Sequence, residues 1–207
     1  DTTLLESLGV HFVFAPTAEE MYSAEEMQAR FSFDFNGLDE VMEGKMRPGH
    51  FNGVVQVVSR LFELVRPTRA YFGEKDFQQL AIIRHMVEHS TLSSNFNNLK
   101  IVGCPIVREA SGLALSSRNE RLSDNEKQTA VAISQTLIAS LEWAKTDSLK
   151  EVQKRVIDTI NAIDGLEVEY FEIVDKTTLQ PTTTFDNAIG CVTVYCGPVR
   201  LIDNIQY

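Results

Sequence analysis

Apolar positions along this 207-residue chain follow two different periods. In the first half, strand-like apolar runs alternate with runs spaced three and four apart, the spacing of a helix face. His11 to Ala15 ("HFVFA") reads as a buried strand stopped by Pro16, and Ala18 to Arg30 as a polar, Glu-rich passage. "FSFDF" (31–35) alternates as a short half-exposed strand would. Val54, Val57, Val58, Leu61 and Val65 then line one face of a helix that Pro67 ends. Residues 69–72 predict a buried strand, residues 76–88 a helix and residues 99–104 a further strand.

After Cys104 the periodicity fades, and "PIVREASGLALSSRNERLS" reads as an extended connector. Ser123 with Glu126 forms a capping box that opens a long helix, its buried side carrying Ala130, Ile133, Leu137, Leu141 and Ala144. Ser148 with Glu151 repeats the device for a second helix carrying Val152, Val156, Ile160 and Ile163. "LEVEYFEIV", "AIGCVTVYC" and "VRLID" alternate like antiparallel strands. The expectation is an α/β protein: parallel βαβ units over residues 1–104, then a smaller α+β domain with antiparallel strands over 105–207. The first residues, "DTTLLESLG", read as the end of a helix, so an N-terminal segment is expected ahead of them.

Composition changes this picture little. Hydrophobic residues at 43% and charged residues at 23% are those of an ordinary soluble globular protein. No apolar run reaches membrane-spanning length and no leader-like segment is seen, so neither membrane nor export is expected. Nineteen basic against 29 acidic residues give a net charge of −10 with no basic run, which argues against a nucleic-acid partner. Cys104, Cys191 and Cys196 lie in apolar, strand-like settings without a CxxC and are expected to be buried free thiols of a reducing cytoplasm. His85 and His89 stand four apart on a helix, but with no third ligand nearby a metal site is not expected.

Candidate chemistry gathers at "RAYFGEKDFQQL" (69–80), where an apolar strand ends in Gly73-Glu74-Lys75-Asp76 and runs straight into a helix. In a parallel sheet, ligands collect at the carboxyl ends of strands. Gly73 lets backbone approach a ligand, and helix N-terminal amides favour anions. Lys75 suits a phosphate, Asp76 accepts from ribose hydroxyls, and Gln79, on the same helix face as Asp76, can both donate to and accept from a polar substrate. Alone, the stretch reads equally well as a solvated first turn. A second cluster, Ser116, Ser117 and Arg118, offers two hydroxyls and a guanidinium to a polyphosphate from a connector able to close as a lid. Alone, it reads as an ordinary polar loop; the two together favour nucleotide chemistry. In "RPGHF", Arg47 is a candidate anion contact, while His50 stands open between a ligand contact and a structural hydrogen bond.

"EGKMRPGHFNGV", "FGEKDFQQL", "VREASGLALSSRN" and "RLIDN", in this order, resemble the pantoate–β-alanine ligase family over nearly the whole chain. The resemblance implies an N-terminally truncated Rossmann-like nucleotidyltransferase domain of the class I tRNA-synthetase type, then a smaller C-terminal domain. It implies that ATP and pantoate give pantoyl adenylate and pyrophosphate with Mg2+, that β-alanine then displaces AMP, and that the protein is a homodimer. On the matching positions, Gly73, Glu74, Lys75 and Asp76 would contact ATP, Gln79 would hold pantoate and Val107 would meet adenine through its backbone. Leu115, Ser116, Ser117 and Arg118 would form a KMSKS-like ATP segment, with Lys75 and Arg118 offsetting the charge of the reacting anions. The family's "PTMG" and HxGH signatures are not in these residues, and no histidine here takes the HxGH role, so the residues alone are expected to be inactive and their parallel sheet to lack its first strands. Two other readings stay open: an adenylyltransferase of coenzyme A synthesis, against which "FQQL" argues, and a non-catalytic module.

Overall fold

In a computed structural model, residues 2–28, 31–89, 92–96 and 98–207 are described. The chain divides into two compact units, residues 1–32 and 33–207.

The first unit holds three short helices, α1 (Thr2–Ser7), α2 (Ala18–Met21) and α3 (Ala24–Gln28). Thr17 and Glu20 form a capping box at the start of α2, and Ser23 with Glu26 makes the same reciprocal pair of bonds at α3. The polar passage predicted over 18–30 therefore folds as two short helices, and its last residues, 29 and 30, lie outside the described residues. The strand predicted over 11–15 does not form; these residues have no regular structure, and Phe12 is 93% exposed. A strand is held by a neighbour's ladder as well as by its own pattern, and among the described residues of this unit there is no such neighbour.

In the second unit the alternation of "FSFDF" survives as burial without a ladder: Phe33 is half-buried, Asp34 exposed and Phe35 buried. Phe33 packs edge-on against Phe35 and His85, with ring centroids 4.9 and 5.8 Å away. Two helices follow, α4 (Met42–Met46) and α5 (His50–Val65). Gly49, at φ +79°, turns the chain into α5, and Arg66, itself left-handed, ends it before Pro67. The buried face of α5 is Phe51, Val55, Ser59 and Phe62, whereas Val57 and Val65 of the predicted stripe are 44% and 55% exposed. The run is apolar around more than one face, and the larger rings decide which face turns inward. Phe62 packs edge-on against Phe72 and Phe96.

Strands β1 (Arg69–Gly73) and β2 (Lys100–Cys104) pair in parallel, Arg69 opposite Lys100 and Gly73 opposite Cys104, with α6 (Phe77–Glu88) as the crossover. This is the predicted βαβ unit. β1 is not the buried strand expected: Tyr71 is 63% exposed, and β2 is its one ladder neighbour among the described residues. The connector is less extended than its composition suggests. Arg108 and Ala114 bridge across a turn at Gly112, and Ser117–Arg121 forms a 3-10 turn whose Arg118 N–H donates to the Ser116 hydroxyl.

The rest follows the pattern closely. Helices α7 (Asp124–Trp143) and α8 (Leu149–Asn161) begin at the two predicted capping boxes. They pack on an antiparallel sheet of β3 (Leu166–Asp175), β4 (Ala188–Cys196) and β5 (Val199–Gln206), in that order. Ala130, Ile133, Leu137, Val152, Val156 and Ile160 from the helices meet Phe171, Val192, Val194 and Leu201 from the sheet in one core. Each large side chain buried there stabilises the unit by about 1.5–3 kcal/mol. The fold is α/β: a parallel pair with helices plus a smaller antiparallel three-stranded sheet. Cys191 and Cys196 are buried and Cys104 half-buried, all three free; burial pushes the Cys191 thiol up to about 12. Among the described residues no helix is long and apolar enough to cross a membrane.

Candidate active site

A cleft of about 270 Å3 lies within the second unit, between the junction leading into α6 and the sheet β3–β4–β5. Lys75, Asp76 and Gln79 line it from one side; Ser116, Ser117 and Arg118 line it from the connector. Arg47 and His50 reach it from the start of α5, and Tyr170, Cys191 and Asn204 from the sheet. The three polar clusters of the sequence therefore meet in one space.

Buried polar contacts explain why the junction sits there. The Asn204 amide donates to the carbonyls of Glu74 (2.8 Å) and Lys75 (3.1 Å), tying β5 to the turn that presents Lys75. Beside it, Asp203 accepts both guanidinium nitrogens of Arg108, at 2.6 and 3.0 Å. A bidentate pair of this kind fixes position as well as charge. The two adjacent glutamines both line the cleft but are held differently. Gln78 is buried, donates to the carbonyls of Leu38 (2.7 Å) and Val41 (2.9 Å), and accepts from the Glu43 N–H (2.9 Å). Gln79, half-buried, is left facing the cleft.

Other predicted contacts lie outside the cleft lining. The Glu74 carboxylate is directed toward Gly103 and Arg84, where a Cβ on Gly103 would meet its Oε1 at 2.8 Å. Helical rotation over the Glu74–Asp76 turn separates it from Lys75 and Asp76, so any ligand contact at Glu74 falls to its backbone. Gly73 does not line the cleft. Val107 and Leu115 are exposed on the hairpin, joined by the Leu115 N–H donating to the Val107 carbonyl at 2.9 Å.

A partly buried ionic network, absent from the sequence reading, underlies the cleft. Arg200 donates to both oxygens of Glu43 (2.8 and 2.6 Å) and to Glu169 (2.9 and 2.5 Å). Tyr170 and Thr193 hydroxyls also donate to Glu43, at 2.9 and 3.1 Å. Burial pushes the Glu43 carboxyl up, but the bonds from Arg200 and Tyr170 and the Arg200 charge together hold it below its usual value. Burial and the Glu43 charge hold the Tyr170 phenol protonated, as a donor should be. Arg118 joins this network by donating Nη1–H to the Arg200 carbonyl at 2.8 Å. No local signal marks these partners, because 157 residues separate Arg200 from Glu43.

His50 lines the cleft and also contacts Arg47. Its Nε2 lies 3.1 Å from Arg47 Nη1. Burial first, and the Arg47 charge next, depress its pKa below 6.5, so a neutral Nε2 accepts from Arg47. His85 and His89 stack 5.9 Å apart. Among the described residues, no three His, Cys, Asp or Glu side chains gather to hold a metal.

In chemical terms the cleft joins the cations Lys75, Arg47 and Arg118 to the hydroxyls of Ser116 and Ser117, the carboxylate of Asp76 and the amide of Gln79, while the Glu43 and Asp203 carboxylates in its lining are taken up by Arg200 and Arg108. That set suits an anion that also carries hydroxyl groups. The profile of the pantoate-beta-alanine ligase family matches residues 1–206. The chain belongs to that family.

Relatives of known sequence agree. The pantothenate synthetase of Phocaeicola vulgatus is 59% identical over 210 residues, covering all of this chain and 72% of its own length. That of Porphyromonas gingivalis is 50% identical with the same coverage. A crystal structure of pantothenate synthetase from Thermus thermophilus superposes with a TM-score of 0.89 at 40% identity, over 99% of this chain and 72% of that one. The pantoate-beta-alanine ligase of Francisella tularensis, crystallised with beta-gamma ATP and beta-alanine, superposes at 0.72 with 31% identity, over 100% of this chain and 68% of that one.

Proposed function

We propose that the intact protein condenses pantoate with β-alanine to form pantothenate, using ATP and passing through pantoyl adenylate. The observation that carries this is the meeting of Lys75, Asp76 and Gln79 with Ser116, Ser117 and Arg118 in one cleft. Lys75, Arg118 and the two hydroxyls hold the triphosphate. Asp76 accepts from the ribose, and Gln79 holds pantoate. The backbone of Gly73 and Glu74 flanks the nucleotide, the backbone of Val107 meets adenine, and Leu115 opens the ATP segment that runs to Arg118; the exposure of Val107 and Leu115 supports this.

The first step brings two anions together: the pantoate carboxylate attacks the α-phosphorus, and the α–β bridging bond breaks with its electron pair leaving on pyrophosphate. Lys75 and Arg118 offset that repulsion from fixed positions, which is where preorganised charge is most effective. In the second step the β-alanine amine attacks the acyl carbon, the acyl–oxygen bond breaks with its electron pair leaving on AMP, and the amine's proton passes to solvent. Arg47, held by His50, is an anion contact on the same cleft. Magnesium supplies further charge neutralisation when it arrives with ATP. Glu43 and Asp203 are engaged by arginines and Asp76 is given to the ribose, so the ATP phosphates would be what holds it.

Residues 1–104 and 105–207 act as nucleotide domain and lid, hinged near Cys104–Pro105, in a cytoplasmic homodimer. Residues 1–207 alone, which hold no HxGH sequence, are inactive.

The test is isotope exchange between ATP and pyrophosphate in the intact protein. Exchange that requires pantoate but not β-alanine, followed by AMP release when β-alanine is added, is the expected result. A dinucleotide product instead of AMP would assign an adenylyltransferase. Pantothenate formation by residues 1–207 alone would overturn the inactivity assigned to them.

A further inference from the structure

Beside the cleft, and sharing Arg47 and Arg118 with it, opens a second groove of about 320 Å3. Arg121, Arg200, Glu169 and Tyr195 also line it. The arginines converge for a local reason. A 3-10 turn has three residues per turn, so positions three apart eclipse. The turn Ser117–Arg121 therefore presents Arg118 and Arg121 one above the other.

The charges do not cancel. Arg200 is fully engaged by Glu43 and Glu169. Arg47 lies 3.8 Å from Glu43, already a partner of Arg200. The Arg121 guanidinium is exposed and makes no ion pair or hydrogen bond among the described residues. Four guanidiniums thus line the groove with one carboxylate, Glu169, and Glu43 lies outside its lining, on a chain whose net charge is −10. An uncompensated positive groove on an acidic protein concentrates anions locally.

We propose that this groove is a pyrophosphate subsite, into which the product passes when it leaves the cleft. Arg118, on the ridge between the two spaces, hands the anion over, and Arg121 is its outer contact. The inference rests on the ligase reading for the identity of the anion. Pyrophosphate fits because it is a compact polyanion able to bridge two guanidiniums, and because the proposed first step releases it beside Arg118.

Calorimetric titration of the intact protein with inorganic pyrophosphate, AMP and ATP tests this, using the wild type, Arg121→Gln and Arg121→Lys. Pyrophosphate should bind, more weakly as salt rises. Arg121→Gln should weaken it about fivefold, the upper range for an exposed charge pair, and Arg121→Lys should restore most of the loss. AMP affinity should be the same in all three, and ATP affinity should change less than that for pyrophosphate. An unchanged pyrophosphate affinity in Arg121→Gln, or none in the wild type, overturns the proposal, as does an equal fall for ATP, which would place the bound triphosphate tail in the groove. If the ligase reading fails instead, the wild type binds pyrophosphate but neither nucleotide. Matching thermal melts establish that the variants fold, and Arg121→Lys keeps the charge test usable should the glutamine variant not.

Discussion

The Arg118 guanidinium donates to the backbone carbonyl of Arg200 at 2.8 Å, while the Arg200 side chain grips Glu43 with both terminal nitrogens. One polar chain thus runs from α4, through the sheet, to a residue that faces the cleft. The cleft depends on it.

Removing Glu43 should therefore be costly. Glu43→Ala leaves a largely buried guanidinium with Glu169 alone, and breaking such a pair costs about 3 kcal/mol. Urea denaturation at pH 7 should show that loss. Glu63→Ala, which removes the more exposed partner of Arg60, should cost under about 1 kcal/mol.

Acid should destabilise the fold through several groups, the carboxylates of the capping boxes and Asp175 among them, of which Glu43 and His50 are the two at the cleft. The folded pKa of Glu43 is below 4.5 and that of His50 below 6.5. A depressed folded pKa means that the unfolded chain binds the proton more readily, so stability is present above the unfolded value and is lost as pH falls. Unfolding free energy should decline first below pH 6.5 through His50 and again below 4.5 through Glu43. A pH series on His50→Asn and Glu43→Gln should flatten the two limbs separately; a steeper limb in either variant would contradict the assignment.

Neighbouring glutamines should give opposite phenotypes. Gln78→Leu abandons two carbonyls and one N–H, each costing about 1–3 kcal/mol when buried without a partner. Denaturation should reveal it. Gln79→Ala should leave stability nearly unchanged and, in the intact enzyme, raise the pantoate requirement without weakening ATP binding, as separate titrations would show.

Two glycines should also diverge. A Cβ on Gly44 would lie 2.0 Å from the Asp39 carbonyl oxygen, a backbone atom with no room to yield, so Gly44→Ala should distort the segment that carries Glu43. At Gly53, inside α5, a Cβ meets nothing within 4 Å. Gly53→Ala should stabilise the protein by up to about 1 kcal/mol, the helix-propensity difference. Melting temperatures of the two variants should move in opposite directions.

Lys75→Ala in the intact enzyme should lower kcat for adenylate formation by the equivalent of about 2.7–4 kcal/mol, the cost of losing one preorganised charge-stabilising donor. Single-turnover kinetics would measure it, and a near-normal rate would exclude Lys75 from the first step.

What could be read in advance was local. Ser123 with Glu126 and Ser148 with Glu151 announce their helices because capping acts across three residues. The apolar run "AIGCVTVYC" announces a strand, although β4, central in its sheet, is buried along nearly its whole length and not on alternate residues. The same reasoning failed over 11–15, where the strand pattern was present without a described ladder partner, and on α5, where valines occupy more than one face.

The sequence by itself determined the starts of α7 and α8, the antiparallel half and the three motifs that carry the resemblance to the family. Tertiary structure alone decided that Gln78 is a strut and Gln79 a cleft residue, that Glu74 turns its carboxylate away, and that Glu43, Arg200 and Asn204 hold the cleft together. Capping and periodicity act over a few neighbouring residues. A buried charge or amide is satisfied by whichever group the fold brings to it, and here that group is 157 residues away for Arg200 and about 130 for Asn204.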